Sequence, residues 1–425
     1  MNRTRMIPLS VALIATFVAT GITTNAQDWP QWRGANREGI STERNLNLDW
    51  TEQNPPLLWT FRDAGSGFSA PTIVGTTLYC QGAAEGNDFA FALDTKSGNL
   101  IWKQNLGALS VSFQNRGDGP RGSVTVDGNR LYLIRGAGQI HCLSADDGKM
   151  IWERDLVKDF DGKMMSDWGY SESPLIDGNL VLCSPGGNQG AVVALDKSSG
   201  AVVWQCNEVT DQAGYSSPIV AEVDGVRQYI QLTGKGIVGI DAKGGKLLWY
   251  VEVPAFRTAV IPTPIYFDNM VYVTNGYNVG CLLIKLTKTG DLFDAKTIYA
   301  NKNMSNHHGG AVLINGYVYG YSETAGWACQ DVKTGENMWT KRDREVGKGS
   351  LFAFQDRLIL LDMATGLLTV VAASPDGWME FGRMPIPERT TIQTNDNHMW
   401  THPIVAHGKL YVRDHDLLFC FDLSR

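Results

Sequence analysis

The sequence predicts an all-β protein, an eight-bladed β-propeller, on three observations. A hairpin motif recurs along the chain, each spacing of about 45 residues holds four short strand-like runs, and no stretch carries the periodicity of an amphipathic helix. In the clearest copy, Leu93-Asp94-Thr95-Lys96-Ser97-Gly98-Asn99-Leu100-Ile101-Trp102, an apolar run meets an Asp. A Gly follows four positions later and an aromatic eight positions later. Ser144, Gly148 and Trp152 keep this frame, as do Asp196, Gly200, Trp204, then Asp241, Gly245, Trp249, then Asp331, Gly335, Trp339. A worn copy ends at Phe381. The Gly supplies the positive φ that closes a hairpin, and the Asp or Ser side chain can bond its own turn backbone. Each copy therefore reads as the last hairpin of one sheet.

The aromatics from Trp102 onward are 50, 52, 45, 90 and 42 residues apart, and the double gap contains Leu286-Thr287-Lys288-Thr289-Gly290 with Gly290 in phase. Asp294 stands where the aromatic is due, so this copy is expected to have lost it. Upstream of the hairpins a second piece recurs, as Ser69-Ala70-Pro71-Thr72-Ile73-Val74, Ser173-Pro174-Leu175-Ile176, Ser217-Pro218-Ile219-Val220, Thr263-Pro264-Ile265-Tyr266 and His402-Pro403-Ile404-Val405. It marks the first strand of each blade. Leu57-Leu58-Trp59 has a closing strand with no hairpin before it, and the run from Leu418 to Leu423 lacks a following strand. Joined, they form one blade that closes the ring and leaves no exposed sheet edge. Closing aromatics near 59, 102, 152, 204, 249, 294, 339 and 381 make eight blades.

The Ala-x-Asp-x-x-x-Gly-x-x-x-Trp hairpin resembles the tryptophan docking motif of the eight-bladed quinoprotein-type propellers, the PQQ-like repeat superfamily, over essentially the whole chain past residue 26. That superfamily includes PQQ-dependent alcohol dehydrogenases and cofactor-free scaffolds similar to the assembly factor BamB. The resemblance implies the fold; it leaves function to the site. For the catalytic members it implies PQQ held with Ca²⁺, an adjacent Cys pair, and a carboxylate base with an Asn. No adjacent Cys pair is present, and no such base and Asn are identifiable in matching loops.

Residues 1–26 carry Arg3 and Arg5, an apolar run from Met6, and Thr24-Asn25-Ala26, the pattern of a secretory signal peptide. No Cys follows the cleavage site, so a lipid anchor is not expected. The expected organisation is a signal peptide at 1–26, an aromatic segment at 27–56 packed on the rim with Trp29 and Trp32 buried, and the propeller at 57–425. Localisation is then periplasmic or secreted, with no transmembrane anchor after cleavage. Removing residues 1–26 takes away two basic residues and no acid, leaving 35 basic against 44 acidic residues and a net charge of −9. Such a surface is a poor nucleic-acid ligand. Among the seven Cys, Cys142, Cys329 and Cys420 share one repeat position, where other copies have Ala92, Ala194 and Gly239. That position wants a small buried side chain, so a disulfide framework is disfavoured.

Inner strands of a propeller begin at one mouth of the channel, where the residues preceding them converge. They include Arg121, Trp168, Tyr170, Glu172, Tyr215, His307, His308, Lys348, Trp400 and His402, the candidate ligand-binding set. One reading makes them ion pairs and stacked rings that close the channel. The other makes them a pocket for an anionic, planar or polyhydroxylated ligand, with Arg121 and Lys348 gripping oxygens and Trp168 and Trp400 offering faces. His307 and His308, consecutive on a strand, would point to opposite faces and could not share a metal. No metal site is assigned; Glu172 is the carboxylate that could serve Ca²⁺. The expected function is a monomeric exported binding or scaffold propeller, taking a protein or a small polar or anionic ligand at its mouth. The alternative is a PQQ-dependent oxidoreductase acting on alcohols or sugars.

Overall fold

The structure, a computed structural model, describes residues 27–110, 118–253 and 259–424; the signal-peptide reading of residues 1–26 lies outside them. The described residues form eight four-stranded antiparallel sheets arranged as a propeller. Seven blades are contiguous, spanning 72–108, 125–155, 175–206, 219–252, 265–301, 311–341 and 349–385. The eighth joins the strand Leu57–Phe61 to Leu417–Asp422, pairing Trp59 with Cys420 and Phe61 with Leu418. The ring is closed as the two ends of the chain predict.

Middle strands such as Asn87–Asp94 and Arg357–Asp362 are buried along nearly their whole length, because neighbouring blades cover both of their faces. They consequently read as continuous apolar runs, Phe89 to Leu93 or Leu358 to Leu361, instead of alternating. Outermost strands such as Met150–Asp155 are largely exposed apart from the aromatic.

That aromatic connects each blade to the next. Trp59 Nε1 donates to Thr95 O at 3.1 Å, Trp102 Nε1 to Ala145 O at 3.0 Å and Trp152 Nε1 to Lys197 O at 3.1 Å. The accepting carbonyl belongs each time to the residue after the Asp or Ser of the next hairpin. Gly98, Gly148, Gly200 and Gly245 have φ of 71–73°, and the rings of Trp59, Trp102, Trp152 and Trp204 lie so close over them that a Cβ would collide. The glycine thus serves both the turn and the ring. The Asp supports the turn: Asp94 Oδ1 accepts from Ser97 N at 2.7 Å, and Asp331 Oδ1 from Lys333 N at 2.8 Å. Cys142, Cys329 and Cys420 pair directly across from Trp152, Trp339 and Trp59, so the shared small position is the one facing the indole. All seven Cys are buried.

The fifth blade corrects the expectation at Asp294. Its last hairpin is longer, Gly280–Thr289 with Leu292–Asn301, and the register bulge falls between Leu283 and Ile284. This puts Tyr299, and not residue 294, in the aromatic position. Tyr299 O–H donates to Val332 O at 2.8 Å, and its ring covers Gly335. The blade lengthened its turn and kept its aromatic. Trp249, which faces this altered blade, donates instead to Gln228 Oε1 of its own sheet at 2.8 Å.

Residues 28–43 run inside the channel and not along the rim. Their hydrogen bonds reach the inner strand of every blade or its immediate flanks. Trp29 exchanges backbone bonds with Ile73, Pro30 O accepts from Val126 N, and Ser41 N donates to Ala353 O. Arg37 donates to Ser173 O, Pro174 O and Pro218 O, Trp32 Nε1 to Thr263 Oγ1, and Arg33 to Ala311 O. Glu43 accepts from His407 N and Gly408 N. Turns at Gly34 and Arg37 reverse the chain, and Thr42 N bonds back to Gln27 Oε1 at 2.9 Å. The segment is a loop inserted from one mouth, its tip reaching toward the other. Trp29 is 3% exposed, whereas Trp32 at the tip keeps one side open.

Candidate functional site

Above that tip lies a cavity of about 290 Å³, lined on its floor by Trp32 and Arg33 and on its walls by loops entering the inner strands. The inserted loop makes it a blind cup instead of one end of an open channel. Of the ten residues expected here, Arg121, Trp168, Tyr215, His307, His308, Lys348, Trp400 and His402 line it. Tyr170 and Glu172 do not. Tyr170 O–H donates to Pro185 O at 2.8 Å within the core, and Glu172 turns away to accept from Ser184 N at 2.9 Å. Ser171 lines the cavity while its neighbour Glu172 does not, the effect of one residue along an extended chain.

Aromatic surface dominates one side. Trp400 lies 5.0 Å from Phe68 at 37° and 6.1 Å from Trp168 at 65°, so the two indoles form an open V. His308 flanks Trp400 at 6.1 Å, and His402 meets Trp32 edge-on at 4.8 Å. His307 and His308 both line the cavity, contrary to the strand argument, because residues 302–310 are loop and not strand. Their Nδ1 atoms are 3.3 Å apart, and His307 Nε2 lies 3.1 Å from Tyr277 Oη. His308 Nε2 is buried with no hydrogen-bond partner among the described residues.

The cations are answered within the site. Lys348 Nζ meets Glu323 Oε1 at 2.5 Å, and Arg121 donates to Trp168 O at 2.8 Å beside the Phe68 ring. Burial lowers Arg121 to about 10, far above neutrality, so it stays charged. Burial, with the Lys348 ammonium adding to it, lowers His307 to about 3, and burial lowers His402 to about 4. The imidazoles are therefore neutral at pH 7. Outside the cavity lining, burial raises Glu172 to about 7 despite the Ser184 hydrogen bonds and the nearby Arg37.

The carboxylate expected to hold a calcium-bound quinone is not presented to this cavity. Among the described residues no three His, Cys, Asp or Glu side chains converge as metal ligands, and the carboxylate expected to serve Ca²⁺, Glu172, points out of the cavity. Trp32, Arg33, Tyr277, Met363, Asp396 and His398 line the site without having been expected. Trp32 and Arg33 were hidden because the loop insertion has no signature in the repeat, and Asp396 and His398 belong to the long connection preceding the last blade.

The family model described as outer membrane protein assembly factor BamB matches residues 90–341. The chain is 23% identical over 320 residues to outer membrane protein assembly factor BamB of Moranella endobia, covering 72% of this chain and 66% of that protein. It is 24% identical over 257 residues to tetrathionate hydrolase of Acidithiobacillus ferrooxidans, covering 57% and 48%. The chain thus spans about half to two thirds of the length of these curated relatives. Among solved structures, BamB from Moraxella catarrhalis superposes with a TM-score of 0.61 at 17% identity, covering 88% of this chain and 98% of that one. Quinohemoprotein alcohol dehydrogenase from Comamonas testosteroni superposes with a TM-score of 0.65 at 13% identity, covering 93% and 80%. At these identities the structural likeness speaks to fold alone.

Proposed function

The chain belongs to the outer membrane protein assembly factor BamB family, and from that premise we propose that it is an exported binding propeller whose cavity holds a small polar ligand or the side chain of a protein partner. The observation that carries this reading is the blind cup itself, in which aromatic faces and fixed polar groups converge and, among the described residues, no metal-ligand set accompanies them. Binding pockets have this composition, largely apolar walls with a few oriented polar groups. Residues 1–26 would direct export to the periplasm or beyond. No helix among the described residues is long and apolar enough to cross a membrane.

The competing reading is a PQQ-dependent oxidoreductase. The test is to incubate the purified protein with PQQ and Ca²⁺ and offer alcohols and sugars with an artificial electron-accepting dye. A binding propeller reduces no dye above the protein-free control; metal-dependent turnover with any substrate would replace this reading with the enzymatic one.

A further inference from the structure

We infer that the cavity receives a neutral polyhydroxylated ring, a single carbohydrate unit offered alone or at a chain end. This rests on the pocket reading above and narrows it to one ligand class.

Charge argues first. Lys348 is paired with Glu323, Arg121 is held by the Trp168 carbonyl, Asp396 contributes a carboxylate to the lining, and the histidines are neutral. A polycarboxylate or acidic peptide gripped by Lys348 would have to displace Glu323, and it would sit in a lining that already holds Asp396. A neutral ligand meets no such penalty, since no ion needs to lose a partner.

Shape argues second. The V of Trp168 and Trp400, extended by Phe68, offers apolar faces. Ser217, Thr263, His307 and His308 also belong to the lining and supply hydrogen-bonding edges. A pyranose has this division, with axial C–H bonds on its faces and hydroxyls around its edge. At about 290 Å³ the cup lies at the lower end of the roughly 300–1,000 Å³ typical of small-molecule sites, which suits one ring.

The imidazole chain argues third. Sugar hydroxyls both donate and accept, and so does a neutral imidazole. In one tautomeric arrangement Tyr277 O–H donates to His307 Nε2, His307 Nδ1–H donates to His308 Nδ1, and His308 Nε2 carries a proton to donate. In the reverse arrangement His308 Nε2 accepts. The chain thus ends at Nε2 of His308, a cavity-lining residue; that nitrogen is buried with no partner among the described residues, and a hydroxyl brought against it could be met in either sense.

The experiment is saturation-transfer NMR on the full-length mature protein with methyl glycosides of glucose, galactose, xylose and N-acetylglucosamine, in parallel with metal-free PQQ and citrate as anionic probes. The expected result is transfer to the ring C–H protons of at least one glycoside, with a Kd of about 1 mM or tighter that does not change with salt. His308→Phe keeps an aromatic ring in place and should weaken that binding at least fivefold; Trp400→Leu should abolish the transfer, with near-UV circular dichroism reporting that each variant is folded. Tighter, salt-sensitive binding of the anionic probes would overturn the carbohydrate inference and leave the pocket reading standing. No binding of any probe by folded wild-type protein would overturn both.

Discussion

At the scale of the residue, the molecule buries charge against carbonyl groups more than against carboxylates. Arg413 is fully buried and donates to the carbonyls of Ser69, Gln81, Ala64, Gly65 and His415. Arg37 does the same for Ser173, Pro174 and Pro218 on two adjacent blades. Replacing Arg37 by Met would strand those carbonyls; the expected cost is about 3 kcal/mol, read as a lower denaturation midpoint with unchanged slope. Lys should not rescue it, because a point charge cannot span both blades. Arg121→Ala with Lys348→Ala should by contrast leave the protein folded, since both side chains line a cavity whose water can hydrate the Trp168 carbonyl and the Glu323 carboxylate they leave; a double variant that fails to fold would make the charged ring structural. The titrating groups set a pH dependence of mixed sign. Burial lowers His141 and His307 to about 3 and His402 and His415 to about 4, against 6.5 when unfolded. The unfolded chain takes up those protons first, so stability falls as pH drops below about 6.5. Glu172 acts oppositely: raised to about 7 from 4.5, it binds its proton in the folded state, and stability rises as pH falls through that window. Glu172→Gln should therefore steepen the acid loss in a plot of Tm against pH, and an unchanged slope would mean Glu172 stays ionised in the fold. Eight of the ten site residues were legible because the repeat frame fixes where inner strands begin. Tyr170 and Glu172 misled because the frame gives position along the chain and not the face.

At the scale of the element, the unit is a hairpin whose aromatic docks on the next blade's turn, and sequence spacing reports it only while turn length is constant. In the fifth blade the strands Gly280–Thr289 and Leu292–Asn301 lengthen together, so the in-phase Gly290 marks a hairpin tip and has no ring above it. Spacing alone could not distinguish a lost aromatic from a displaced one; the register bulge decides it. Asp294→Ala should therefore be neutral within about 0.5 kcal/mol, whereas Tyr299→Phe should cost about 1 kcal/mol for its bond to Val332 O and Tyr299→Ala about 3 kcal/mol. Chemical denaturation of the three variants checks the order. Equal effects at 294 and 299 would return the aromatic position to where simple spacing puts it.

At the scale of the whole molecule, two features hold the ring, and the sequence revealed one. Closure by Leu57–Phe61 was readable because both ends of the chain carry incomplete halves of the same motif. The inserted loop was not, since residues 28–43 follow no repeat and their contacts depend on a channel that exists only once eight blades are assembled. The two should fail differently. Deleting residues 27–43 leaves every sheet four-stranded, so a closed ring with a lower Tm is expected. Its cavity loses the Trp32 floor and Arg33, and with them any tight retention of a ligand. Deleting residues 27–61 also uncovers the edge of Leu417–Asp422, and an unpaired apolar strand is a template for association. Size-exclusion chromatography and thermal melts separate the two outcomes: a folded monomer for the shorter deletion and aggregation for the longer. If the shorter deletion were itself unable to form a ring, the loop would be an axle on which the blades assemble, and the blind cup would be inseparable from the fold.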